Sequence, residues 1–138
     1  MPAKDIFHDA VKTALTSDGW TIKADQLHLR WGKRDFYVDL AADRFYLADK
    51  GEQHIAIEVK SFTDDSAMTA LEKTLGQFLI YRSILKRKDP ERKLFLAVTQ
   101  PVFRNIFEKD VGLLVVEDYD IALLIFDAQK EVIIEWKP

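Results

Sequence analysis

Glu58 and Lys60 stand two apart in the run Ile57-Glu58-Val59-Lys60. Alternate side chains of an extended strand share a face, so this spacing sends a carboxylate and an ammonium to the same side of an otherwise apolar strand. Such a pair suits a common ligand. Glu58 could bind a hard divalent cation with the Val59 carbonyl as a second oxygen ligand, while Lys60 faces a nucleophilic water or a phosphate. A metal centre of this kind needs at least one more carboxylate. Two candidates lie upstream, Asp39 at the end of Phe36-Tyr37-Val38-Asp39 and Asp43 just before the next apolar run. A hairpin of residues 44–48 and 54–60 turning near Lys50-Gly51 puts Asp43 beside Glu58 across the strand pair. A bend at Ala41-Ala42 returns Asp39 to the same place instead. The plain alternative is that Glu58 and Lys60 form an ion pair on a solvated sheet face.

Gln77 and Tyr81 are four apart, so on a helix they project from one face, with Thr74 and Ile84 flanking them. An amide and a phenol beside a metal-bound water could orient the nucleophile or touch phosphate; otherwise the two are boundary residues of a packed helix. Gly76 beside them costs a helix interior roughly 1 kcal/mol relative to alanine, which suggests close approach by another group. His8 and Asp9 sit together near the amino terminus, where a histidine could meet metal or phosphate or serve as a local hydrogen-bonding group. His28 and His54 have no partner at ligand spacing, and the chain has no cysteine, which excludes thiolate catalysis and Cys-based metal sites.

The elements that must position these residues follow from periodicity. Residues 4–17 read as an amphipathic helix ended by Ser17-Asp18-Gly19. Trp20 and Ile22 begin an extended segment, and alternation marks strands around 27–31 and 36–40, with Gly32-Lys33 between them. Two further strand runs, 44–48 and 54–60, are joined by Asp49-Lys50-Gly51-Glu52, with Gly51 available for a positive φ. The longest helix spans about 66–88, capped by Asp65 or Ser66. Met68, Leu71, Leu75, Phe78, Leu79 and Leu85 form its stripe, and Asp89-Pro90 ends it. Leu94 to Val98 is a continuous apolar run, the pattern of a strand covered on both faces. A short helix follows Pro101 through Phe107, and the runs 113–116, 121–126 and 132–136 read as further strands or a final hairpin around Asp127-Ala128-Gln129-Lys130. The order is helix, three strands, helix, strand, then a tail: an α/β layer arrangement with a mixed sheet. In that tail Ile133, Ile134 and Trp136 either complete the sheet or offer a partner or homodimer contact.

The chain has 138 residues, 48% of them hydrophobic, enough for a single domain over 1–138 with its own core. No apolar run approaches the roughly 18 residues of a membrane span and no secretory leader is visible, so a soluble, cytoplasmic protein is expected. With Lys+Arg 20 against Asp+Glu 23, net charge −3, the chain lacks the overall basic footprint of a dedicated nucleic-acid binder. Two local basic clusters nonetheless stand out, Arg30, Lys33 and Arg34, and Lys86, Arg87, Lys88, Arg92 and Lys93. The second is read as a solvated helix end that complements the helix dipole, or as a phosphate-binding patch.

The succession of an acidic residue on the first helix, an Asp, Glu-x-Lys on a strand and Gln-x-x-x-Tyr on the next helix resembles the PD-(D/E)XK nuclease superfamily, in the manner of RecB-type nucleases and archaeal junction resolvases, over about residues 4–100. A closer resemblance is to the XisH proteins of cyanobacteria, the fdxN element excision controlling factors. It is carried by residues 3–12, Asp18-Gly19-Trp20, residues 35–40, residues 57–62, Leu75-Gly76-Gln77-Phe78 with Tyr81, and Glu131-Val132-Ile133. The resemblance implies an α/β, restriction endonuclease-like core of order αβββαβ with a mixed central sheet flanked by helices, plus C-terminal strands. It further implies Mg or Mn held by Glu58, the Val59 carbonyl and one or both of Asp39 and Asp43. Lys60 would be the catalytic lysine, Gln77 and Tyr81 the helix motif, and His8 or Asp9 would stand at the first-helix acid. DNA as substrate, a XisI-type protein partner and a role in programmed DNA excision are implied likewise. No proline precedes either aspartate, which departs from the superfamily pattern.

Overall fold

The computed structural model describes residues 3–46, 51–63 and 66–138. The chain opens with α1 (His8–Ser17), followed by β1 (Thr21–Ala24), β2 (Leu27–Trp31), β3 (Arg34–Val38), β4 (Leu40–Tyr46) and β5 (Gly51–Val59). After the long α2 (Ala67–Lys88) come β6 (Arg92–Thr99), a short α3 (Gln100–Val102) continued by a π-helical turn at Phe103–Phe107, α4 (Asp110–Tyr119), β7 (Leu123–Asp127) and β8 (Val132–Lys137). Six strands form one sheet in the order β1-β4-β5-β6-β7-β8, and β2 and β3 form a separate ribbon. The central pairs β5-β6 and β6-β7 are parallel and the outer pairs antiparallel, so the sheet is mixed, as expected. Five strands rather than the expected three precede α2: β1, β4 and β5 lie in the main sheet, and β2 and β3 form the ribbon inserted after β1.

The sheet has helices on both faces. Val11, Leu15 and Trp20 pack against Ile55, Ile57, Val59 and Phe126 on the α1 side. Leu71, Phe78 and Leu85 of α2 pack against Ala56, Leu94, Leu96 and Val98 on the other. The unbroken apolar run of β6 is buried on both faces because it lies between two parallel neighbours and two helical layers. Alternation along β5 therefore sends Ile55, Ile57 and Val59 toward α1, and Ala56 and Glu58 toward α2.

Several sequence expectations are corrected. α1 begins at His8 rather than at residue 4, because the Asp5 side chain accepts a hydrogen bond from the Phe7 N–H at 2.9 Å and turns the preceding segment out of the helix. Residues 113–116 are helical, within α4; the run is too short for periodicity to separate strand from helix. The buried stripe of α2 runs through Leu71, Thr74, Phe78, Tyr81 and Leu85, while Met68 is exposed, so Tyr81 is part of the inward face. Ser66 is the N-cap, accepting from the Thr69 N–H at 3.3 Å; Asp65 lies outside the described residues. Gly51 opens β5 opposite Tyr46, and residues 47–50 also lie outside them. Gly76 has open space around it, with no close approach. The C-terminal residues complete the sheet: Ile133 and Trp136 of β8 pack onto the α1-side core. Among the described residues, no helix is long and apolar enough to cross a membrane.

Candidate active site

Asp39 occupies the single residue between β3 and β4, where the chain leaves the ribbon and enters the main sheet. Its backbone N–H donates to Glu58 Oε1 at 3.3 Å, and its Oδ2 accepts from the Val59 N–H at 2.7 Å. The two acids are thus tied reciprocally at the end of the β4–β5 ladder. The register fixes this choice: Leu40 pairs with Ile57 and Asp43 with His54. Asp43 consequently does not stand beside Glu58, since the observed register pairs Tyr46 with Gly51 and is offset from the one expected for a turn near Lys50-Gly51. It accepts instead from the His54 ring at 2.9 Å and from Arg92 at 3.0 Å. Arg92 is itself enclosed, donating to the Ala42 and Ile55 carbonyls and to Asp89. This cluster, away from Glu58, is an ion-pair network that ties β4, β5 and β6.

Asp39, Glu58, Val59, Lys60, Gln77 and Tyr81 all line one cavity of about 240 Å³, closed further by Tyr37 and residues 3–5. β5 supplies Glu58 and Val59, its C-terminal continuation supplies Lys60, the junction of β3 and β4 supplies Asp39, and α2 supplies Gln77 and Tyr81. The Lys60 N–H donates to the Ala97 carbonyl at 3.1 Å, so the parallel neighbour β6 fixes its backbone. Gln77 Oε1 is buried with no hydrogen-bond partner among the described residues, a costly state that a ligand donor would relieve.

Burial raises the Glu58 carboxyl to about 9, reinforced by the neighbouring Asp39 charge and only partly offset by the Asp39 N–H and Lys60. Burial also raises Asp39, against the Val59 N–H and the His8 charge. Tyr81 is pushed up to about 12 by burial and by the two acids, so its hydroxyl keeps its proton and stays a donor. Two desolvated carboxyls side by side favour either a shared proton or a cation between them. Among the described residues, no third Asp, Glu or His completes a metal cluster. The oxygen set still fits Mg, which commonly takes one or two protein carboxylates and leaves its other positions to water and phosphate.

His8 is buried behind Asp39. Its Nδ1 lies 3.7 Å from Asp39 Oδ1, and its Nε2 lies 2.8 Å from Asp25 Oδ1. Asp9, one residue on, is exposed and outside the cavity, because adjacent helical positions point about 100° apart. Two participants had no sequence signal. Asp25, between β1 and β2, is held below the usual carboxylate range: burial opposes this, but hydrogen bonds from Lys12 and His8 outweigh it. Asp5 reaches 56 residues along the chain to accept from the Ser61 N–H at 2.9 Å and the Ser61 hydroxyl at 3.0 Å, pinning residues 3–5 over the cavity. Neither contact has a spacing that local periodicity could reveal.

The fold and the pocket define a mixed-sheet α/β domain that presents two carboxyls, a lysine and a helix-borne amide and phenol to one cleft. The XisH protein family profile matches residues 1–134, and the chain belongs to the XisH family. It is similar to the crystal structure of an XisH family protein from Nostoc punctiforme PCC 73102, with 37% identity over 97% of this chain and 100% of that one and a TM-score of 0.87. It is similar also to an fdxN element excision controlling factor protein from Anabaena variabilis, with 36% identity over 98% and 100% and a TM-score of 0.87. No curated protein matches the chain.

Proposed function

We propose that this XisH family chain is a divalent-cation-dependent deoxyribonuclease of the PD-(D/E)XK type that cuts DNA phosphodiesters during excision of a DNA element. The observation that carries the reading is the meeting of Asp39, Glu58, Lys60, Gln77 and Tyr81, from three separate elements, around one cavity. Asp39 and Glu58, with the Val59 carbonyl, would hold Mg or Mn. When bound, that cation would neutralise charge on the scissile phosphate and make a water more acidic. Lys60 orients the attacking water and adds positive charge beside the phosphate. The Gln77 amide and the protonated Tyr81 hydroxyl position the phosphate oxygens. His8 backs Asp39 from the far side and is itself held by Asp25.

The test is cleavage of supercoiled plasmid and of branched oligonucleotides with Mg or Mn. Wild-type cleavage should fall at least about 100-fold in Lys60→Ala, Glu58→Ala and Asp39→Ala, a loss on the scale of a single charge-stabilising group. Asp43→Ala should retain the per-molecule rate of its folded fraction while losing stability. Wild-type protein that binds no metal and cuts nothing, alone or with its partner, overturns the reading.

A second reading is favoured by the burial of the Glu58 and Asp39 carboxyls, which raises the proton affinity of both and so opposes their use as cation ligands. In it the fold is catalytically silent and binds a XisI-type partner to control a site-specific recombinase. Absence of metal binding by calorimetry at pH 8 is the outcome it expects.

A further inference from the structure

Arg34 of one basic cluster and Arg87 of the other lie more than fifty residues apart in sequence, yet both line one groove. The tip of the β2–β3 ribbon lies along the C-terminal half of α2, and between them runs a groove of about 540 Å³. Trp31, Phe36, Ile80 and Ile84 form its floor and walls, with Arg34 on one bank and Arg87 on the other. No acidic side chain lines it. Trp31 is 48% exposed and Ile80 49%, and the Lys88 ammonium stands 5.7 Å from the Trp31 ring centre. Arg30 at the ribbon is neutralised by Asp35 at 3.0 Å, whereas Arg34, Arg87 and Lys88 form no ion pair among the described residues.

The groove adjoins the carboxylate cavity. Phe36 lines the groove, Tyr81 lines the cavity, and their rings touch edge to face at 6.3 Å, so one aromatic pair is the wall between them. α2 spans both, with Gln77 and Tyr81 facing the cavity and Ile80, Ile84 and Arg87 facing the groove. From Gln77 to Arg87 the helix rises about 15 Å. That is about four nucleotides of a stacked strand at 3.4 Å each.

We propose that this groove binds the unpaired strand next to the cleavage point, with a base stacked on Trp31 and flanking phosphates on Arg34 and Arg87. An exposed indole between unpaired cations is the arrangement by which single strands are bound without base-edge readout. Continuity with the cavity favours DNA over an acidic protein segment as the occupant, because a strand that places a phosphate between Glu58 and Lys60 must continue past Phe36 or leave the protein. The inference rests on the DNA-cleaving reading, which it makes specific to flapped or branched substrates.

The experiment is fluorescence anisotropy in EDTA, so that binding is read without cleavage, using labelled single-stranded, flapped and blunt duplex oligonucleotides over a range of salt. Flapped and single-stranded probes should bind more tightly than the blunt duplex. Trp31→Ala should weaken them about fivefold or more. Arg34→Ala/Arg87→Ala should weaken them about tenfold and make the salt slope shallower by about 1.4, two phosphate contacts on a single strand. All three residues are exposed, and circular dichroism verifies that the variants fold. Parallel Mg cleavage separates the claims. A wild type that cuts DNA, with groove variants that bind and cut as it does, overturns the groove alone, whereas loss of cutting in Glu58→Ala tests only the cavity. A wild-type dimer that Trp31→Ala converts to monomer, with DNA binding unchanged, identifies the groove as a self-association surface and overturns the proposal.

Discussion

Glu58 stands in electrostatic conflict with its surroundings. Its carboxyl is enclosed between β5 and α2 beside a second acid, and the raised proton affinity is the physical record of that placement. The consequence for stability has a definite sign. Below the ordinary glutamate range, near 4.5, folded and unfolded chains both carry the proton, and no penalty arises. Between about 4.5 and about 9 the unfolded chain releases it and the native state keeps it, so stability declines as pH rises through that window and levels off above it. Asp39 shifts the same way and adds to the decline. Glu58→Gln keeps the shape and removes the ionisable group. In EDTA, urea unfolding at pH 5 and pH 8 should show the wild type losing stability between the two and the variant losing much less. The variant should be the more stable at pH 8 by on the order of 1–3 kcal/mol. Parallel pH profiles for the two proteins would show that Glu58 is solvated. Asp43 is the opposite case: burial alone would raise it, but the His54 hydrogen bond and the Arg92 guanidinium more than offset that and hold it low. Equal in type and four residues apart, the two aspartates differ because burial dominates at Asp39, whereas at Asp43 the His54 hydrogen bond and the Arg92 guanidinium outweigh it.

The helices show how element-level fit depends on small residues. Gly76 lies in the interior of α2 with nothing within 4 Å of where a Cβ would stand, so it contributes only its backbone entropy cost. Gly112 is the reverse. A Cβ there would collide with the Ile106 carbonyl oxygen, because α4 folds back directly onto the π-helical turn. Gly76→Ala should therefore stabilise the protein by about 1 kcal/mol in urea denaturation, while Gly112→Ala should destabilise it by about 2 kcal/mol or more. Equal effects at the two positions would mean that α4 does not pack as described. The same contrast marks what a sequence reveals about this fold. The period-two run of β5 placed Glu58 and Lys60 on one face, and the spacing of Gln77 and Tyr81 placed both on one side of α2, because these relations are local. The choice between Asp39 and Asp43 depended on a hairpin register that no single residue determines. Thr74 and Tyr81 belong to the inward stripe of α2 although their polar atoms disguise it, and Met68, apolar by type, faces outward. Residues 113–116 looked like a strand because four apolar residues in succession carry no period. Asp5 and Asp25 became visible only when the chain was folded, since each acts on a partner at least 13 residues away.

At the scale of the whole molecule, the two chain ends are one structural unit. The residues flanking α1 pack onto the last two strands: Trp20 meets Trp136 of β8 at 5.6 Å between ring centres and Phe7 meets Phe126 of β7 at 6.0 Å, while Phe95 of β6 meets Trp136 at 5.0 Å. The segment that carries Asp5 and His8 is thereby fastened to the last strand, while the acids it supports stand on β5 and at the entry to β4. A change at the C-terminus should accordingly be felt in the cavity without touching it. Trp136→Ala removes the indole that packs on Trp20, between α1 and β1, and on Phe95 of β6, and should cost about 2 kcal/mol, from the apolar surface it leaves uncovered. Because the sheet is continuous from β1 to β8, that cost should appear as one shifted transition, with far-ultraviolet circular dichroism and fluorescence of the remaining tryptophans changing together. Hydrogen exchange should report faster exchange at the amides of Phe7 and Ser61, whose acceptor is Asp5, although both lie far from residue 136 in sequence. Two separate transitions, or protection unchanged at Ser61, would show that the N-terminal segment is held by β5 alone and that the C-terminal strands are an appendage to the site rather than its outer support.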